Sequence, residues 1–142
     1  MKSSTLKVLA LLLVLGMVAA ACSKKPDEGG GKEGGTITIG QDKANNHGSE
    51  DVSGNDEFKV EIDDFYFEPT VLKGTAGQKV KLELDNEGSA LHNFSLPEQN
   101  LDQDVAAGKD GEVTVTFPQS GILEFFCKYH RGRGMAGELS TS

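Results

Sequence analysis

From residue 58 onward, apolar and polar side chains alternate with a period of two. Phe58, Val60 and Ile62 fall on one side, with Lys59, Glu61 and Asp63 on the other. Val80, Leu82 and Leu84 alternate with Lys79, Lys81 and Glu83, and Val113, Val115 and Phe117 with Glu112, Thr114 and Thr116. Each alternation predicts a strand with one dry and one wet face. Turn-forming residues separate these strands at Glu68-Pro69, Lys73-Gly74, Ala76-Gly77, Asn86-Glu87-Gly88, Gly108, Gly111 and Pro118-Gln119-Ser120-Gly121. Short strands punctuated in this way predict an all-β sandwich or barrel. No segment has helical periodicity, and residues 97–108 form the longest irregular stretch, with room for one helical turn. Phe65, Phe67, Phe94, Phe117 and Phe125 are expected to fill much of the core. A domain of about 85 residues is small but large enough to fold alone.

The first 57 residues lack that pattern. Lys2 and Lys7 form a basic start, residues 9–18 an apolar run, and Ala19-Ala20-Ala21 precedes Cys22-Ser23. This is the layout of a secretory signal peptide over residues 1–21, and its apolar run is too short to span a bilayer. The small residues before Cys22 resemble a bacterial lipoprotein signal, which implies lipidation of Cys22 and a lipid-anchored mature chain. Residues 23–35 are Gly-rich and charged, the composition of a flexible tether with a reach of roughly 20 Å. Thr36-Ile37-Thr38-Ile39 has a short strand-like alternation, and residues 41–57 are polar again. Residues 22–57 are therefore expected to be a mostly disordered linker leading to a domain over residues 58–142.

The chain of 142 residues has a formal net charge of −8. Without Lys2 and Lys7 the balance is 12 basic against 22 acidic side chains, or −10. Such a protein has no affinity for nucleic acid, and anionic lipid repels it, so membrane attachment requires the acyl anchor. A disulfide is the default for exported cysteines. Here lipid on Cys22 would leave Cys127 as a free thiol, so no bridge is expected. The pairs Asp63-Asp64 and Asp102/Asp104 read as solvated turn charges. His47 sits in a polar stretch, Asn45-Asn46-His47-Gly48, without an evident partner.

The chemistry concentrates near the C-terminus. Cys127, His130 and Met135 follow one another with the spacing C-x2-H-x4-M, and a further imidazole, His92, lies upstream in Leu91-His92-Asn93-Phe94. Two His, one Cys and a weak axial Met form the trigonal set that copper takes in electron-transfer sites. Leu123, Phe125 and Cys127 share one strand face, and His92, Phe94 and Leu96 another, so His92 and Cys127 can meet at one end of a sandwich. These residues, with Gly121-Ile122-Leu123-Glu124-Phe125-Phe126 before the ligand loop and Ala136-Gly137 after it, resemble the cupredoxin family of plastocyanin- and azurin-like blue copper proteins.

The resemblance implies a Greek-key β-sandwich holding one type 1 copper. It makes Cys127 the thiolate ligand, His92 and His130 the other in-plane ligands, and Met135 the axial one. Asn93 corresponds to the residue that fixes the ligand loops by hydrogen bonding, and His130 to the surface route for the electron. The expected function is one-electron transfer by a monomer, with no enzymatic activity, on the outer side of the cytoplasmic membrane or in the periplasm. A copper chaperone, scavenger or sensor lipoprotein is the alternative. Lys128, Arg131 and Arg133 form a basic cluster at the same edge, suited to docking an acidic redox partner protein.

Overall fold

The computed structural model describes residues 34–142. The predicted signal peptide and the lipidation site at Cys22 lie outside the described residues. Among those described, the regular structure is strands and two short 3-10 turns. The strands are β1 (Thr36–Ile39), β2 (Asp42–Asn45), β3 (Ser49–Asp51), β4 (Glu57–Asp63), β5 (Tyr66–Glu68), β6 (Val71–Gly74) and β7 (Lys79–Asn86). They continue with β8 (His92–Leu96), β9 (Leu101–Val105), β10 (Asp110–Thr116), β11 (Ile122–Phe126) and β12 (Ala136–Thr141).

Two sheets carry the domain, one ordered β10-β7-β4-β5 and the other β3-β6-β12-β11-β8-β9. The dry faces predicted by the alternation face each other. Val60, Ile62, Val80, Leu82, Leu84 and Val115 from the first sheet join Leu72, Phe94, Leu96, Phe125 and Leu139 from the second in one buried cluster. Phe67 of β5 ties the layers together, edge-on to Phe94 at 6.0 Å and to Phe125 at 5.1 Å between ring centroids. Gly137 opposes Phe125 across β11 and β12, and a Cβ there would lie 2.3 Å from the Phe125 ring. The glycine thus makes room for the core ring beneath the metal end.

Three sequence expectations change. Residues 36–57 are not linker: β1 and β2 form a hairpin, and β3 adds to the edge of the larger sheet parallel to β6. Ile39 and Ala44 are buried against Ala136, beside Ile37 and Phe126. The polar remainder is held by hydrogen bonds that no hydrophobic period reveals, such as Val52 N–H to the Lys73 carbonyl at 2.8 Å. Residues 97–108 are not mainly irregular, since a 3-10 turn at Pro97–Gln99 leads into β9. Phe65 is only partly buried, at the edge of the core, whereas Phe67, Phe94, Phe117 and Phe125 are inside as expected.

Candidate metal centre

The ligand loop grows out of β11, the neighbour of β8. The pairing of Phe126 with Ser95 sets the register. Alternation then puts Phe125 and Cys127 on the same face as Phe94 and His92. Beyond Cys127 the chain turns tightly. His130 N–H donates to the Cys127 carbonyl at 3.0 Å, Arg133 N–H to the His130 carbonyl at 2.8 Å, and Cys127 N–H to the Met135 carbonyl at 3.0 Å. Gly134 closes the 3-10 turn Arg131–Arg133 with φ of +87°, and a Cβ there would meet Asn45 Oδ1 at 2.8 Å. A glycine is needed at 134 on both counts.

Three ligand atoms converge at this end. One donor atom each of His92, Cys127 and His130 lies within 4.8 Å of the other two. His130 Nδ1 is 3.4 Å from Cys127 Sγ and 3.2 Å from His92 Nδ1. His92, Cys127 and Met135 are fully buried, and His130 is partly exposed. Met135 is joined through its backbone to Cys127 and to His130, and its side chain is buried in the same core cluster as Cys127.

The protonation pattern suits a metal. His92 Nε2 lies 2.7 Å from Asp64 Oδ1. A carboxylate only accepts, so Nε2 carries a proton, which leaves Nδ1 as the ring nitrogen facing His130 and Cys127. Burial, with the positive charge of Arg133 adding to it and Asp64 opposing it, pushes the His130 pKa down, which favours the unprotonated ring that a metal needs. Burial pushes the Cys127 thiol up, while the backbone N–H groups of Tyr129, Asn93 and His130 pull it the other way. A coordinated cation outweighs the burial and holds the thiolate. Two imidazoles and a thiol, gathered beside buried apolar side chains, fit one copper ion.

Asn93 is fixed on all sides. Its Oδ1 accepts from Ser95 Oγ at 2.5 Å and from Lys128 N–H at 3.4 Å. Its Nδ2 donates to Asp102 Oδ1 at 2.7 Å and to Asp104 Oδ1 at 2.8 Å. Asp102 and Asp104 are therefore not turn charges. They stand on one face of β9 and clamp both Asn93 and Lys128, whose ammonium lies 2.7 and 3.1 Å from them. Tyr129 donates to Asp104 Oδ2 at 2.9 Å. Asp64 is not a solvated turn charge either, because it holds His92.

The basic cluster is partly neutralised in place. Lys128 is held by Asp102 and Asp104, and Arg131 by Asp42 and Glu124. Arg133 has no carboxylate partner among the described residues. Its guanidinium lies over the Phe65 ring at 3.7 Å, and that ring in turn lies 4.6 Å from the His130 ring. His47 stacks on Tyr66 at 3.4 Å beside Glu68, apart from the cluster. The spacing of Asp102 and Asp104 at i, i+2 on a strand is a signal that could have revealed their joint role. The link between Asp64 and His92 leaves no local trace.

The comparisons agree with this geometry. The family described as "Cupredoxin-like domain" matches residues 11–139. Plastocyanin A/B of Petroselinum crispum is 29% identical over 100 residues, covering 61% of this chain and 99% of that protein. Auracyanin B superposes with a TM-score of 0.51 at 22% identity, covering 61% of this chain and 88% of that one. The metal-binding domain of the Streptococcus pneumoniae D39 Cu(I)-exporting P-type ATPase CopA, solved with Cu(I), gives 0.52 at 12% identity, covering 66% and 96%. At these identities the two solved structures share the fold with this chain. A match that spans residues 11–139, on a sandwich whose end gathers these donors, places the chain in the cupredoxin-like family.

Proposed function

We propose that the chain is a one-electron carrier that works outside the cytoplasmic membrane, tethered by lipid on Cys22. The observation that carries this reading is the convergence of His92 Nδ1, His130 Nδ1 and Cys127 Sγ on one buried point. Copper held there would supply reversible Cu(II)/Cu(I) chemistry, the one-electron couple such a carrier needs. Cys127, His92 and His130 would hold the ion, with the Met135 thioether as a weaker fourth donor. The residues themselves supply rigidity. Asn93 and the Cys127–Met135 backbone bond hold the ligand strands and loop in one arrangement, so little reorganisation accompanies a change of oxidation state. His130 is the partly exposed member of the set, which makes its edge the electron's exit. The partner is a one-electron redox protein that docks at this end.

A copper chaperone or scavenger would use the same donors, and the shared fold with a Cu(I)-bound domain keeps that reading in view. Full burial of His92, Cys127 and Met135 favours retention of the metal over exchange. An optical titration of the soluble protein with Cu(II), followed by ascorbate, separates the two readings. An intense thiolate-to-copper band that bleaches on reduction and returns on oxidation supports the carrier. A colourless protein that binds only Cu(I) supports the chaperone, and no copper binding overturns both. Mass spectrometry of the mature N-terminus tests the anchor, and cleavage elsewhere than before Cys22 removes it.

A further inference from the structure

Beyond the four ligands and Asn93, one carboxylate is built into the site. Asp64 sits in the turn between β4 and β5, 28 residues from His92, and accepts from its Nε2–H at 2.7 Å. The carboxylate is itself held by a cradle on the turn between β7 and β8. Ser89 N–H donates to Oδ2 at 3.1 Å, Ser89 Oγ–H to Oδ2 at 2.5 Å, and Ala90 N–H to Oδ1 at 3.3 Å. Gly88 completes the cradle: a Cβ there would stand 2.6 Å from Asp64 Oδ1 and 2.9 Å from His92 Nε2. The backbone of the turn approaches because residue 88 has no side chain. The ring is fully buried, while the Asp64 side chain keeps a quarter of its surface in solvent.

From this geometry we infer that Asp64 is a positioning residue that sets the copper reduction potential through His92. The inference rests on the copper reading above. A carboxylate behind a ligand imidazole fixes its tautomer and raises its basicity. The added negative charge stabilises Cu(II) over Cu(I) and lowers the potential. Ser89 opposes this, because its hydroxyl draws charge from the same carboxylate.

The test compares Asp64→Asn, Asp64→Ala and Ser89→Ala with the wild type. Asparagine keeps an acceptor oxygen for His92 and removes the charge, while its NH2 takes the place of the oxygen that Ser89 N–H reaches. Its Cu(II) affinity should fall about tenfold relative to Cu(I), equivalent to a rise of about 59 mV in a one-electron midpoint potential. Ser89→Ala keeps the backbone N–H donors and should move the potential the opposite way. In the metal-free protein, nitrogen NMR should show His92 protonated at Nε2 in the wild type and in Asp64→Asn, with the tautomer lost in Asp64→Ala. A midpoint potential unchanged in Asp64→Asn, or changed only together with lost folding stability, would overturn the role. If Asp64→Asn does not fold, Ser89→Ala decides alone, and an unmoved potential refutes the inference. Absence of a blue band in the wild type would instead refute copper electron transfer, and the NMR readout still judges the Asp64–His92 link.

Discussion

The backbone N–H of Cys127 donates to the carbonyl of Met135 at 3.0 Å, so the first and last residues of the ligand loop are hydrogen-bonded to each other. The loop between them has no freedom to open without breaking that bond, and both side chains are fully buried. This makes Met135→Leu an informative change. Leu conserves volume and should cost less than about 1.5 kcal/mol of stability, but it removes the thioether. With Met135 as axial ligand, the substitution should keep the blue band and raise the reduction potential, read by spectroelectrochemical titration. A potential identical to wild type would reduce Met135 to packing.

Much of this molecule is legible in its sequence because its parts obey local rules. The alternations at Val80-Leu82-Leu84 and Val113-Val115-Phe117 have the period of a strand, and those residues are buried. Cys127 and His130 are three residues apart, so one turn suffices to bring them together. The placement of His92 on the same face as Cys127 follows from counting faces in two neighbouring strands. What is hidden is non-local and polar. The residues of 41–57 are placed by hydrogen bonds to residues distant in sequence, as when Thr70 Oγ donates to the Asn45 carbonyl. Asp64 reaches His92 only because the turns bearing Asp64 and Gly88 meet in space.

The N-terminal hairpin is a brace for the ligand loop. Asn45 Nδ2 donates to the Phe65 carbonyl and to the Arg133 carbonyl, each at 2.9 Å, and Asn45 N–H donates to the Gly134 carbonyl at 2.8 Å. Asn45→Ala strips the first two bonds and leaves both carbonyls short of a donor. The expected loss is about 1–3 kcal/mol in denaturant unfolding of the metal-free protein. Copper should also leave faster, measured by transfer to a chelator. Unchanged unfolding and release would mean that the hairpin rests on the loop without bracing it.

Arg133 is the cation of the ligand loop best placed to meet a partner, since Lys128 and Arg131 are each held by two carboxylates. If an acidic redox protein docks at this edge, Arg133→Glu should slow bimolecular electron transfer about tenfold at low salt. The gap should close near 1 M salt, where the screening length is about 3 Å. Stopped-flow rates across ionic strength read both effects. Rates indifferent to salt and to the substitution would remove electrostatic docking from the account.

Glu138 stands directly opposite Glu124 across β11 and β12, two carboxylates in one cross-strand pair. Burial pushes the Glu138 pKa above the ordinary 4.5, and Lys73 only partly offsets it. An acid whose folded pKa is raised binds its proton more tightly when folded. The folded state therefore holds more protons than the unfolded one between 4.5 and the folded value, and stability falls as pH rises through that window. The penalty is fully present at neutral pH and absent below about 4.5. Glu138→Gln should remove it, raising stability at pH 7. The gain should shrink as the pH falls toward 4.5, and urea unfolding of both proteins at several pH values measures it. A gain that is constant with pH would trace to altered packing, and a loss at pH 7 would mean that ionised Glu138 makes a favourable contact.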